Sequence, residues 1–457
     1  MTSKSLIKNI DDLIRRRRGK AASLRRAALK AVESGIKSVM PENFMKKLKL
    51  RGSVLTVDGY KVDLKRFDEV VVLGAGKAAV DMARYVERLL SKYISRGLIV
   101  VPKGLHEGHG LKRIKAAPST HPLPSDLGLK AARQMLEYAE EVTEKTLVIF
   151  LLSGGASALL PLPAPPLTLQ DKIEVTKLLL ESGATIHEVN AVRKHVSEVK
   201  GGRLGKRLAR GRVLSLILSD VVGDDVETIG SGPTAPDPTT FRDAYDILRR
   251  YGIWERVPES VKERISMGLE GKVEETPKPG DPAFKRITNL VIAGIGDACA
   301  AAARYLRTRG FRCTLLTRFM EGEASQIGVF FSGILRELSE KKGKHAVICG
   351  GETTVTIRGS GIGGRNQELA LAASIKMRRL KNCCLVSVGT DGVDGISEAA
   401  GAIVDSETYQ DAIKMGLNPV EFLRNNDSNT FFNKVGGAIY TGPTGTNVGD
   451  LTILLKC

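Results

Sequence analysis

Lys77 sits inside the glycine-rich turn GAGKAA (74–79), a combination of residue types suited to holding a carboxylate or a phosphate. The turn follows the apolar run DEVVVLGAG (68–76) and opens a helical stretch, so its backbone amides and the helix N-terminus can face an anion, with the lysine adding a full charge. Gly74, Gly76 and Ala79 satisfy the GxGxx(G/A) pattern of dinucleotide-binding turns. The acid expected at the end of the next strand to hold a ribose hydroxyl is missing, because GLIVV runs into Pro102 and Lys103. The phosphate loop GxxxxGK[ST] is not matched either.

Further polar groups fall at the ends of other apolar runs. In SGGAS (153–157), Ser153, Gly154 and Gly155 follow KTLVIFLLSGG and offer small side chains with free amides. The stretch IHEVNAVRKHVSEVKGGR (186–203) reads as one helix with Asn190, Arg193 or Lys194, and Ser197 near one face, and Lys200 and Arg203 at its glycine-marked end. That makes a candidate anion clamp, although charge spacing alone slightly favours an ordinary solvated basic helix. His195 reads as a packed or surface histidine rather than a base. In SDVVGDDVETIGSGPT (219–234), Asp220 ends a buried strand, a position where a carboxylate can hold Mg2+ on a nucleotide. Asp224 shares that metal role or, with Asp225, forms a turn, and Gly232 lies in the tight loop GSGP.

In the second half, GSGIGGRNQELALAA (359–373) reads as a flexible glycine run entering a helix with Arg365 and Asn366 at its start. Arginine there opposes the helix dipole, which favours a functional reading. TDGVDG (390–395) places Asp391 after another buried strand, and TGPTGTNVGD (441–450) supplies a last polar turn.

The elements that must position these residues follow a regular grammar. Near-continuous apolar runs at 68–76, 97–104, 145–155 and 213–220 read as strands buried on both faces of a parallel sheet, with helices between them. From about 234 to 285 the proline-rich and charged text reads as a connection between domains. A second α/β set starts at NLVIAGIGDA (289–298) and includes HAVICGGE with TTVTIRG beside it, a candidate hairpin that would make this sheet mixed. VLGAGKAAVDMARYVE (72–87) aligns without gaps on IAGIGDACAAAARYLR (292–307), with Lys77 in the place of Asp297. The expected division is residues 1–285, a basic helix plus a Rossmann-like α/β domain, and residues 286–457, a second α/β domain.

The formal net charge is +18, and residues 1–51 carry 15 Lys and Arg against 4 Asp and Glu. That stretch lacks interleaved aromatics, while Leu13, Ile14, Leu24, Ala27, Ala28 and Ala31 recur at helical spacing, so a docked helix with a solvated basic face is preferred to nucleic-acid binding. The six cysteines form no CxxC pair and read as small buried thiols. No apolar run reaches the roughly 18–20 residues needed to cross a bilayer. The sequence thus implies no membrane and a cytoplasmic location by default.

Together, GAGKAA, HPLPSD, LLSGGAS, NAVRKHVSEVKGGRL, LSDVVGDD with GSGPTAPDP, GGETTVTIRG, GGRNQELAL, GTDGVDG and TGPTGTNVGD resemble glycerate kinases with a Rossmann-like N-terminal domain and a C-terminal MOFRL domain. The resemblance implies ATP- and Mg2+-dependent phosphorylation of D-glycerate to 2-phosphoglycerate, with Lys77, Asp220 and Arg365 as active-site residues. It leaves a homodimer open. Some relatives of that class carry the name hydroxypyruvate reductase, which makes an NAD(P)H-dependent reductase the alternative. Against it stand the missing ribose acid and the lack of a strand-end histidine other than His121 in THPLPSD.

Overall fold

The computed structural model describes residues 5–105, 107 and 109–457, which divide into two compact units, Phe44–Ile292 and Met1–Asn43 with Ala293–Cys457. In the first unit a six-stranded sheet runs, in spatial order, Ile114–Ser119, Ile94–Pro102, Glu69–Ala75, Thr146–Leu152, Arg212–Leu218 and Ile287–Ala293. The pairings among the first five are all parallel. Thr146–Leu152 is buried at every residue, as its unbroken apolar run predicts. The strand order is that of a doubly wound nucleotide fold: the chain moves outward from Glu69–Ala75 in one direction, then returns to its other side with Thr146–Leu152.

Three expectations are corrected here. Strand Ile287–Ala293, read as the opening of the second domain, closes the edge of the first sheet beside Arg212–Leu218. The segment 234–285 is no bare connection: helices Phe241–Arg250 and Glu259–Leu269 share an apolar core with helices Leu169–Glu181 and Ile186–His195 in the same unit. The helix expected over 186–203 stops at His195, and a second short helix starts at Arg203 after the left-handed residues Gly201 and Gly202.

The second unit holds a mixed sheet in the order Arg312–Met320, His345–Gly351, Asp450–Lys456, Cys383–Gly389, Gly401–Asp405, Ala438–Ile439. The mixture comes from the C-terminal strand, which inserts antiparallel between His345–Gly351 and Cys383–Gly389. The hairpin expected from TTVTIRG is absent from this sheet; Thr354 makes only an isolated bridge to Glu323. Helix Gly19–Ser38 belongs to this unit rather than to the first, because its buried face packs against helix Ile295–Arg307. The two helices come so close at Gly35 that a Cβ there would lie 3.0 Å from the carbonyl oxygen of Ala298.

That N-terminal region is docked, as its apolar spacing predicts, yet part of its charge points inward. Arg25 is 2% exposed and donates to Asp405 at 2.5 Å and to the Leu13 carbonyl, while Arg17 reaches Asp405 and Asp411. All six cysteines are free, and burial pushes the thiols of Cys299 and Cys349 up to about 12.

Candidate active site

The first cluster forms where the strand order reverses. Strand Glu69–Ala75 ends at Gly76 and Lys77, and its neighbour Thr146–Leu152 ends at Ser153 and Gly154; ligands of open α/β sheets bind at such a crevice. The turns are stitched together: the Lys77 amide donates to the Gly154 carbonyl at 3.0 Å and the Ala78 amide to Ser153 Oγ at 3.0 Å. Gly76, at φ +136°, leaves so little room that a Cβ would fall 2.1 Å from Ser153 Oγ. Gly74 serves packing within the sheet, since a Cβ there would meet the Leu151 carbonyl at 2.4 Å.

The Lys77 side chain is exposed and, among the described residues, has no ion-pair partner. Its charge acts on two neighbours. Burial raises the Asp220 carboxyl, an effect that its own backbone amide and Lys77 oppose. Burial and Lys77 both hold the His121 ring below the usual histidine range. A Cβ on Gly154 would lie 2.2 Å from Asp220 Oδ2, and one on Gly155 would lie 3.0 Å from His121 Cδ2 and 3.4 Å from Lys77 Cε. Lys77, His121, Gly154, Gly155 and Asp220 therefore share one strand-end crevice.

The helix residues read as an anion clamp separate in space. Asn190 is buried and accepts from Ser231; Lys194 is buried in an ion pair with Asp237 at 3.1 Å; Ser197 donates to the Leu162 carbonyl. Arg203 donates to the Glu274 carbonyl. Arg193 and Lys200 instead line a cavity of about 490 Å³ with His121, Gly155 and Ser157. Lys172, which the motifs did not single out, joins them there. It was legible as a lysine three and seven residues before Val175 and Leu179, on the apolar face of its helix. His195 is wholly buried between the Ala191 carbonyl and Glu275, a packed histidine as expected.

Asp225 forms a turn, accepting from the Glu227 amide and Thr228 Oγ1, and the Gly232 amide is taken by the Ile229 carbonyl. Asp224 differs: its buried Oδ1 lacks a hydrogen-bond partner among the described residues. No group of three or more potential ligands that could hold a metal occurs among the described residues. Asp220 and an orphaned Asp224 oxygen nevertheless suit Mg2+, which takes one or two carboxylates and completes its shell with water and substrate phosphates.

The second cluster lies in the other unit, at the end of the mixed sheet. Arg365 begins helix Arg365–Met377 and donates from Nε and Nη2 to Asp450 at 2.7 and 3.0 Å, while its Nη1 forms an ion pair with Glu352 at 2.7 Å. Asn366 is fully engaged with Asp394, Asp450 and Ser387, so it orders the cluster from beneath. Asp391 is half-buried and accepts from the Val393 amide. The glycine run before the helix, expected to be flexible, is pinned: the amides of Gly359, Gly361 and Ile362 bond to Asn426, Asn425 and Asp427.

A family described as a domain of unknown function, DUF4147, matches residues 27–266, and the MOFRL family matches residues 345–450. The chain is 42% identical to the glycerate 2-kinase of Pyrococcus horikoshii over 95% of its own length and 98% of that protein. It is 38% identical to the D-glycerate 2-kinase of Thermotoga maritima over 94% of its length and 98% of that one. The crystal structure of the Thermotoga maritima glycerate kinase aligns with a TM-score of 0.84, covering 95% of this chain and all of the other. With both family regions matched and its length shared with these kinases almost end to end, the chain belongs to the glycerate kinase family that joins a DUF4147 region to a MOFRL region.

Proposed function

We propose that the protein transfers the γ-phosphoryl group of ATP to the 2-hydroxyl of D-glycerate. The observation that carries this reading is the full-length likeness to glycerate 2-kinases. The strand-end crevice supports it, because Lys77, a cation with no ion-pair partner among the described residues, and an acid, Asp220, stand together there. Phosphoryl transfer spreads negative charge over the moving oxygens, and catalysis is mostly positioning and charge stabilisation. Lys77 stabilises the transferring group. Asp220 and Asp224 hold Mg2+, which when bound neutralises phosphate charge.

Arg365 positions the glycerate carboxylate. Asp450 fixes one edge of its guanidinium from a fully buried position, while Glu352 on the other nitrogen is 44% exposed and can yield to an incoming carboxylate. Closure around the substrates would exclude water as a competing acceptor. Scattering profiles that tighten on adding glycerate with a non-hydrolysable nucleotide are expected.

The test is an assay with ATP, Mg2+ and D-glycerate, with the product identified by NMR. Formation of 2-phosphoglycerate is expected. Nicotinamide-dependent turnover of hydroxypyruvate without phosphoryl transfer would overturn the reading.

A further inference from the structure

The cavity beside Gly155 collects positive charge that the protein does not neutralise. Lys172 and Lys200 are 5% and 2% exposed, and half-buried Arg193 completes the set. Lys200 donates to the Ser157 carbonyl and hydroxyl at 2.7 and 3.1 Å, and Lys172 only to the Leu162 carbonyl at 3.4 Å. Arg193 has no hydrogen bond or ion pair among the described residues. The acids nearby are engaged elsewhere: Glu198 pairs with Arg207 at 3.0 Å, and Glu181 on the rim pairs with Lys177. Buried cations without a paired anion are costly, so two of them with half-buried Arg193 around one cavity mark a place for a ligand with several negative charges.

The shape of the cavity narrows the choice. Part of its lining is apolar, contributed by Leu123, Pro124, Ile173 and Leu180, and at about 490 Å³ it far exceeds a three-carbon acid. Such a volume with an apolar wall fits a ligand carrying a flat ring system. Its near end is Gly155 and His121, the same residues that adjoin Lys77. A ligand with an anionic tail at that end points its tail into the crevice of Lys77 and Asp220.

We infer that this cavity holds ATP, with the adenine against Ile173 and Leu180 and the inner phosphates on Lys172, Arg193 and Lys200, so that the first unit is the nucleotide-binding unit. The choice of ATP rests on the kinase reading above. The direction of the ligand rests on the cavity alone. Burial lowers the Lys172 ammonium to about 7 and that of Lys200 well below its usual range, in keeping with charges that await an anion.

Calorimetric titration of the full chain with ADP, and separately steady-state measurement of the glycerate KM, tests this in Lys172→Met and Leu180→Glu. Leu180 is 57% exposed, so its replacement leaves folding intact even if Lys172→Met does not fold. The expected result is an ADP Kd raised at least tenfold in Lys172→Met and at least fivefold in Leu180→Glu, with the glycerate KM within twofold of wild type. An unchanged ADP Kd in the folded variants, or a glycerate KM raised in place of it, overturns the assignment. ADP binding is read without turnover, so a protein that binds ADP through these residues yet leaves glycerate unphosphorylated would overturn the substrate reading and support the cavity assignment.

Discussion

Arg365 meets Asp450 edge to edge, with Nε and Nη2 bonded to the two carboxylate oxygens at 2.7 and 3.0 Å. The bond settles an apparent conflict in the sequence, a cation at the start of a helix. The free amides of that turn are taken by Asp394, which accepts from the Asn366 and Gln367 N–H groups, so the dipole is already answered by an acid. Asp450, wholly buried, needs the guanidinium instead: burial pushes its carboxyl up and Arg365 pulls it back. Arg365→Ala should therefore cost about 3–5 kcal/mol in unfolding free energy, besides raising the glycerate KM. Arg365→Lys keeps the charge but loses the paired geometry, and should recover part of the stability and little of the activity. Denaturant titration beside steady-state kinetics reads both, and an Arg365→Ala protein with wild-type stability would mean that Asp450 is neutral.

Asp405 makes the equivalent prediction for the N-terminal helices. Burial raises its carboxyl, but Arg25 and Arg17 more than offset this and hold it at about 2, against an ordinary 3.8. A depressed folded-state value means that the unfolded chain takes up the proton first as pH falls. The stabilisation is whole above about 4 and drains away toward 2. Asp405→Asn should lower the Tm at neutral pH, and its difference from wild type should shrink as the pH is taken from 5 to 2.5. A difference that does not change with pH would assign the loss to packing instead.

How far the sequence carried the reading depended on whether a feature was local. Buried strands announce themselves through apolar runs such as TLVIFLL, and glycine turns at their ends fix where Lys77 and Asp220 emerge. Which sheet a strand joins is not local. Ile287–Ala293 resembles the opening strand of a domain because a glycine turn and an alanine-rich helix follow it, yet its partner is Arg212–Leu218. Buried charge was half legible. Arg25 stands three, four and seven residues before Ala28, Leu29 and Val32, and Lys172 occupies the same kind of position, but only the fold shows that Arg25 finds a carboxylate while Lys172 finds a cavity.

Lys172 should leave a signature in stability against pH. Burial is the largest influence on its ammonium, Arg193 lowers it further and Glu198 works the other way, while Lys200 faces it across the cluster. With a folded value of about 7 against an ordinary 10.5, the unfolded chain binds the extra proton between those limits, so stability must rise with pH across that window. Lys172→Met removes this contribution. Its melting temperature should exceed that of wild type near pH 7, and the gap should narrow toward pH 10. ADP, by keeping the ammonium charged, should flatten the wild-type slope as well. Parallel slopes for the two proteins would show that Lys172 keeps its proton throughout.

Gly154 offers the sharpest probe of the strand-end crevice. Its φ lies outside the left-handed region, so alanine suits the backbone, but the added Cβ would fall 2.2 Å from Asp220 Oδ2 and 2.8 Å from its Cγ. Contacts that short force the carboxylate aside. Gly154→Ala should keep the fold, with a Tm within a few degrees of wild type, and lose on the order of a hundredfold in kcat/KM because a displaced group mispositions the reacting phosphoryl. Raising Mg2+ should recover part of the loss if Asp220 holds the ion. Gly333 supplies the control: it lies within helix Ala324–Ser339 with open space around its Cβ position, so Gly333→Ala should add about 0.5–1 kcal/mol of stability and leave turnover unchanged. Should Gly154→Ala turn over glycerate like the wild type, the position of the Asp220 carboxylate would not matter to the reaction, and Asp220 would have to leave the active site.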